Sequence, residues 1–109
     1  MTEPAGFENI LSPITIKGVK LRNRIAMAPL HTGFMQGSQV TEQLTAYYAE
    51  RARNGVGLIV TSPVSGAVIP GMPQPPPLSS PAHVPGWNEL VETVHAFGAG
   101  IFIQLMPGV

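Results

Sequence analysis

Three places in the sequence carry side chains whose type and position could do chemistry. His31 and Thr32 stand directly behind the apolar run Arg24-Ile25-Ala26-Met27-Ala28-Pro29-Leu30. Proline has no N–H to give to a sheet ladder, so a strand through that run ends at Pro29 and the polar pair opens the loop behind it. By type alone His31 is an ordinary loop histidine. Gln104 is the one polar residue in Ile101-Phe102-Ile103-Gln104-Leu105. A primary amide carries a donor and an acceptor together. On a buried strand both must be satisfied, by a ligand or by a neighbouring strand or water. Ser62-Pro63 follow a third apolar run, Val56 to Thr61. The chain has no cysteine, which removes a thiol nucleophile, a disulfide framework and a thiolate-held metal. A metal role for His95 would need ligand partners the chain lacks, nothing in the spacing of His83 places it at a site, and no metal site is assigned.

The elements that must hold these residues follow from apolar periodicity. Ile14-Thr15-Ile16 and Val19-Lys20-Leu21 alternate around Lys17-Gly18 and read as a β-hairpin. The run from Arg24 to Leu30 is expected to be a strand buried on both faces. Leu44, Tyr47, Tyr48 and Ala52 lie at helical spacing, with Thr41 placed as N-cap and Asn54-Gly55 as the stop. Val56 to Thr61 is a second buried strand. Eight of the twelve prolines fall between Ser62 and Gly86, a density that forbids helix and sheet interior. Trp87, Leu90, Val91, Val94 and Phe97 mark a second helix, stopped by Gly98 and Gly100, and Ile101–Leu105 is the third strand. Tyr47, Tyr48 and Trp87 sit at core spacing on their helices and read as packing residues. Asn23-Arg24 reads as a structural clamp at the start of the first strand.

Strand, helix, strand, helix, strand is a βαβαβ run, hence a parallel α/β sheet. The βα connections are long and the αβ connections tight, which places a ligand at the C-terminal ends of the strands. No G-x-G-x-x-G follows a strand, so the dinucleotide-binding form loses support. A hairpin that can plug one end favours a (β/α)8 barrel. Three strands cannot close one, and the chain stops within four residues of Leu105. It is therefore expected to be the leading part of a longer protein. The composition agrees: charged residues are 11% of the chain, under half the usual share, as suits a piece whose faces are covered by other chain. Six basic residues balance six acidic ones, so no footprint for nucleic acid or anionic membrane exists. No apolar stretch has the length of a membrane span, and the N-terminus lacks the features of a signal peptide. A cytoplasmic location is expected.

Leu11-Ser12-Pro13-Ile14-Thr15-Ile16-Lys17-Gly18, Leu21-Arg22-Asn23-Arg24 and Ala28-Pro29-Leu30-His31-Thr32-Gly33 together resemble the opening of the old yellow enzyme family. Leu44-x-x-Tyr47-Tyr48-Ala49-Glu50-Arg51-Ala52-x-x-Gly55-Val56-Gly57-Leu58-Ile59-Val60 is similar to that family's first helix and second strand, and Ile103-Gln104-Leu105 to its third strand. Pro-x-His-Thr-Gly with Tyr-Ala-Glu-Arg-Ala points to the 2,4-dienoyl-CoA reductase and enoate reductase branch.

The resemblance implies a TIM barrel that binds FMN, with residues 1–109 as the N-terminal portion of that single domain. It implies hydride transfer from NAD(P)H through flavin to the activated C=C bond of a small enone or enoyl substrate. By the same resemblance Ala28, Pro29, Leu30, His31 and Thr32 run beside the flavin ring, with His31 or Thr32 donating near N5 and O4. Gln104 meets the ring's O2 and N3 edge. Pro63 stands where the family commonly has a small residue beside the ring; the proline is a departure, and Ser62 is the substitute at hand. Met106-Pro107-Gly108 departs from a His common in the family and receives no role. The family's substrate-orienting pair, proton-donating Tyr, phosphate loops and iron–sulfur cysteines belong to later strands, so these residues are expected to hold no catalytic residue. The alternative is a truncated, inactive half-barrel with open sheet edges.

Overall fold

The computed structural model of the chain describes residues 6–34, 39–64, 78 and 80–106. A single helical turn, α1 (Glu8–Leu11), leads into an antiparallel hairpin of β1 (Ile14–Ile16) and β2 (Val19–Leu21). Lys17 and Gly18 have φ of 45° and 84°, the paired positive values that a two-residue turn of the I′ type requires. β3 (Ala26–Met27), α2 (Glu42–Arg53), β4 (Leu58–Val60), α3 (Val84–Ala96) and β5 (Gly100–Phe102) follow. β3, β4 and β5 form one parallel sheet in that order. The βαβαβ reading and the hairpin are both present.

Register explains which side chains are buried. Met27, Ile59 and Ile101 are aligned across the sheet and face the helices. There they join Leu44, Tyr48 and Ala52 of α2 with Trp87, Leu90 and Val94 of α3 in one apolar cluster. Side chains alternate along a strand, so Ala26, Leu58 and Gly100, then Val60 and Phe102, belong to the opposite face. No helix covers that face among the described residues. Leu21 of the hairpin closes its lower end: a Cβ on Gly100 would stand 2.6 Å from Leu21 Cδ2. The first strand is therefore not buried on both faces as expected. Ala26 is exposed and Met27 half-buried, because the helices supply a single covering layer and the hairpin reaches only the strand bottoms.

Both long helices start and stop on side-chain and backbone chemistry. Thr41 Oγ1 accepts the Leu44 N–H (3.1 Å) at the start of α2, as the sequence predicts. At the other end the Gly55 N–H donates to Ala52 O and the Val56 N–H to Arg51 O, and Gly55 has φ of 111°. The end of α3 repeats the pattern, with Gly98 N–H to His95 O, Ala99 N–H to Val94 O, and φ of 91° at Gly98. Each is a Schellman stop with glycine in the left-handed position, and each delivers the chain into a strand within three residues.

Arg22 ties these two stops together. Its Nη2 donates to Ala52 O (2.5 Å) at the end of α2 and to Val56 O (2.8 Å), and its Nη1 to Phe97 O (2.7 Å) at the end of α3. Helix C-terminal carbonyls lack intrahelical donors and carry partial negative charge, so a cation there is doubly favoured. Asn23 completes the junction: its Nδ2 donates to Gly55 O (2.7 Å) and its Oδ1 accepts the Ile25 N–H (3.0 Å). Gly57 passes so close that a Cβ there would stand 2.7 Å from the Asn23 carbonyl oxygen. The clamp is thus Arg22 with Asn23. Arg24, paired with Asn23 in the sequence reading, turns outward to Ser12 Oγ (3.0 Å) and holds the N-terminal turn.

The strands are shorter than the apolar runs, since the ladder covers only part of each. The second helix is longer, starting at Val84 behind a 3-10 turn over Pro81–His83. Proline density does not forbid this start, because Pro85 occupies the first turn, where its missing N–H has no intrahelical partner to lose. The triple proline at 75–77 and most of the expected long loop lie outside the described residues.

Replacing Arg22 by Met removes three charge-assisted bonds while keeping most of the stem. The expected cost is about 2–4 kcal/mol, read as a lower urea midpoint at unchanged slope. Arg22→Lys should recover only part of it, since one ammonium cannot reach carbonyls on both helices.

Candidate functional site

Ala28, Pro29, Leu30, His31 and Thr32 follow β3 at the C-terminal edge of the sheet. All are exposed except half-buried Thr32, and Leu30 is 57% exposed. The β3–β4 ladder ends at Met27, so the main-chain groups of Leu30 and His31 lie beyond it. The segment is nonetheless anchored. Thr32 Oγ1 accepts the Phe34 N–H (3.3 Å), and Thr41 Oγ1 donates to Phe34 O while it caps α2. The Phe34 ring stands edge-on to Tyr47 with centroids 5.6 Å apart. Thr32 Oγ1 acts as an acceptor within its own loop, a bond that does not use the hydroxyl proton, so His31 and Thr32 both stay donors at this edge.

The ends of β4 and β5 are joined by an irregular pairing. Val60 aligns with Phe102 and Val64 with Leu105, so four steps on one strand face three on the other. This is a bulge, with one residue in excess on the β4 side. Thr61 N–H donates to Phe102 O (3.0 Å), Val64 N–H to Gln104 O (2.9 Å) and Met106 N–H to Val64 O (2.9 Å). Pro63 falls inside the bulge, where its lack of an N–H leaves no ladder bond unmade. The Gln104 N–H has no carbonyl opposite and donates instead to the Thr61 side chain, Oγ1 at 3.2 Å.

Gln104 itself is exposed, not buried within a central strand as the apolar run implied. Ile101 and Ile103 pack on the helix-side core, so Phe102 and Gln104 turn to the open face. The physical reason is the one that exposes Ala26: among the described residues that face has no covering layer above the hairpin. Pro63 is half-buried at the same end of the sheet. Ser62 does not stand in for it. The serine is 1% exposed, its N–H donates to Tyr48 Oη (2.8 Å), and the Tyr48 hydroxyl lies 3.4 Å from Ser62 Oγ.

The structure thus brings Ala28–Thr32, Pro63 and Gln104 to one end of one sheet. Parallel strands about 4.8 Å apart put about 10 Å between the β3 and β5 ends. The surface there is mostly apolar, with Ala28, Leu30, Phe102 and Leu105 all exposed, and it carries the Gln104 amide, the His31 imidazole and the half-buried Thr32 hydroxyl to meet polar atoms. Such a donor set fits a flat ring with a polar edge. Two contributors escaped the sequence reading. Thr61 was part of a strand, and Tyr48 was a packing residue only; the adjacent hydroxyls Thr61-Ser62 at a strand end were the available signal. Tyr47 and Trp87 are packing residues as read: Trp87 is 3% exposed in the core, and Tyr47 lies under the Arg51 guanidinium, 3.8 Å from its centroid. The one ion pair among the described residues, Arg53–Glu50 at 2.7 Å, lies on α2 away from this site, where the guanidinium holds the exposed Glu50 carboxyl below its usual range. Among the described residues no group of three His, Asp or Glu is placed to hold a metal, and no helix is long and apolar enough to cross a membrane.

The sequence model of the NADH:flavin oxidoreductase / NADH oxidase family matches residues 9–109. A metal reductase of Desulforamulus reducens is 41% identical over 102 residues, which are 88% of this chain and 14% of that protein. A cinnamate reductase of Clostridium sporogenes is 33% identical, over 94% of this chain and 16% of its own length. Among solved structures, Old Yellow Enzyme from Pichia sp. AKU4542 superimposes with a TM-score of 0.78 at 31% identity, covering 89% of this chain and 26% of that one. The chain thus spans about a sixth of those two relatives and about a quarter of the solved chain. The fold is the corresponding part of a (β/α)8 barrel.

Tyr48→Phe should leave the buried Ser62 N–H without a partner while preserving the ring packing. A loss of about 1–3 kcal/mol is expected, measured by thermal or urea unfolding, with faster exchange of the Ser62 amide as its local signature.

Proposed function

This chain belongs to the NADH:flavin oxidoreductase / NADH oxidase family, and on that premise we propose that it supplies the ring-side wall of an FMN site in an ene-reductase-type oxidoreductase. The bound flavin would accept hydride from NAD(P)H and pass it to the activated C=C bond of a small enone or enoyl substrate. Ala28, Pro29, Leu30, His31 and Thr32 would line one side of the ring at the end of β3. Pro63 would stand at its centre beyond β4, and Gln104 would meet the polar edge from β5. The observation that carries the proposal is the convergence of these three strand ends at one edge of one sheet, largely apolar and with an exposed amide at its rim.

Each assignment has a chemical reason. A donor beside the ring, His31 or Thr32, would stabilise the negative charge that reduction places on the flavin and so raise its potential. The Gln104 amide matches adjacent acceptor and donor positions with one side chain. Pro63 offers apolar surface and no donor, so the ring would rest against it without a hydrogen bond. The cinnamate reductase among the relatives supports an α,β-unsaturated acid or thioester as the oxidant. An iron–sulfur cluster, found in part of the branch, would need cysteines that residues 1–109 do not contain.

The test is Gln104→Leu in the flavin-loaded protein. The change keeps side-chain volume and removes both hydrogen-bonding functions. FMN affinity should fall by about 1–3 kcal/mol, measured by fluorescence titration of the stripped protein; wild-type affinity would remove Gln104 from the site.

A further inference from the structure

The bulge between β4 and β5 holds a hydroxyl whose position has a consequence for the flavin edge, and this inference rests on the reading of Gln104 given above. Thr61 is fully buried. Its own N–H is in the ladder, bonded to Phe102 O, and its Oγ1 accepts the Gln104 N–H. In a regular parallel ladder a side chain does not take a main-chain donor. Here it does because the excess residue on the β4 side moves the carbonyls of residues 61–63 out of register with Gln104.

We infer that Thr61 is a positioning residue for Gln104, and through it for the polar edge of the flavin. The neighbouring bonds leave few other ways to fix that peptide. Gln104 O is held by the Val64 N–H, and Met106 N–H by Val64 O, so the chain beyond Gln104 is pinned to the far side of the bulge. The near side is pinned at Phe102. Between those points only the Thr61 hydroxyl restrains the Gln104 N–H, and rotation about that peptide swings the Cα–Cβ direction of Gln104 on the open face. Thr61 is held in turn from the helix side, since the next residue, Ser62, donates its N–H to the Tyr48 hydroxyl. A buried helix residue, a buried strand hydroxyl and an exposed amide therefore form one connected path from α2 to the rim of the site.

Valine is the closest apolar shape to threonine, and serine keeps the hydroxyl while losing the methyl. The experiment compares Thr61→Val, Thr61→Ser, Gln104→Leu and the Thr61→Val/Gln104→Leu double variant in the flavin-binding protein. FMN dissociation constants and exchange of the Gln104 amide in the flavin-free state are read for each. Thr61→Val should weaken FMN binding about 2- to 12-fold, the range of one net hydrogen bond, and speed exchange at Gln104. Thr61→Ser should match wild type in both. The double variant should bind no more weakly than Gln104→Leu alone, because Thr61 acts only through that side chain. If Gln104→Leu weakens binding while Thr61→Val does not, or if the two losses add, Thr61 does not position Gln104 and the inference falls while the flavin reading stands. A Thr61→Ser loss equal to or larger than that of Thr61→Val marks a packing role and overturns it as well. Wild-type binding by Gln104→Leu removes the underlying reading itself. If Thr61→Val does not fold, wild-type protection of the Gln104 amide in Thr61→Ser supports the bond, and its loss there overturns it.

Discussion

Everything in this part of the barrel depends on how two helices are ended at the same place. α2 and α3 each stop in a glycine turn and each feeds a strand, and the carbonyls freed at the two stops converge on the Arg22 guanidinium. A planar cation with five donors is suited to such a junction: it reaches helix-end carbonyls on separate elements without bending any of them. Its Nε is buried with no partner among the described residues, a modest cost set against three charged bonds. With Asn23 fixing the next turn, the starts of β3, β4 and β5 are brought level, and the register Ala26–Leu58–Gly100 follows.

A level start fixes where the strands end. Parallel strands rise at about 3.3 Å per residue, so residues equally far from the Arg22 junction arrive together at the opposite edge. That is why Val60 and Phe102 stand side by side, and why the loops behind the strands share one edge. The irregularity in the described ladder, the bulge at Thr61–Val64, occurs at that edge. It lets Pro63 into a paired region and turns a main-chain donor toward a side chain. One end of the sheet thereby holds the Arg22, Asn23, Gly57 and Leu21 contacts, and the other carries the irregular pairing and the exposed strand ends.

The two faces divide the labour in the same way. The helix face is closed and apolar, from Leu44 to Ala99. The other keeps Ala26, Phe102 and Gln104 exposed. Tyr48 links the faces, since its ring packs in the closed core and its hydroxyl holds the loop that borders the open one.

By itself the sequence determined the element order, the hairpin turn, both helix stops, the parallel sheet and the family, because each rests on contacts between near neighbours or on an unbroken motif. Thr41 caps as read, Gly55 and Gly98 end helices as read, and Lys17-Gly18 turn as read. It also ranked Gln104 and His31 as the polar residues at strand ends. Only the tertiary structure decided that Arg22, not Arg24, is the clamp, since its partners lie 30, 34 and 75 residues away. It alone decided that Ser62 is occupied by Tyr48, that Gln104 is exposed, and that Thr61 holds the Gln104 peptide. The physical reason is that these partners are distant in sequence, and for Thr61 and Gln104 it is register. A hydrogen bond between strands is set by register, and a one-residue excess in one strand changes every partner beyond it without leaving a mark in composition or periodicity.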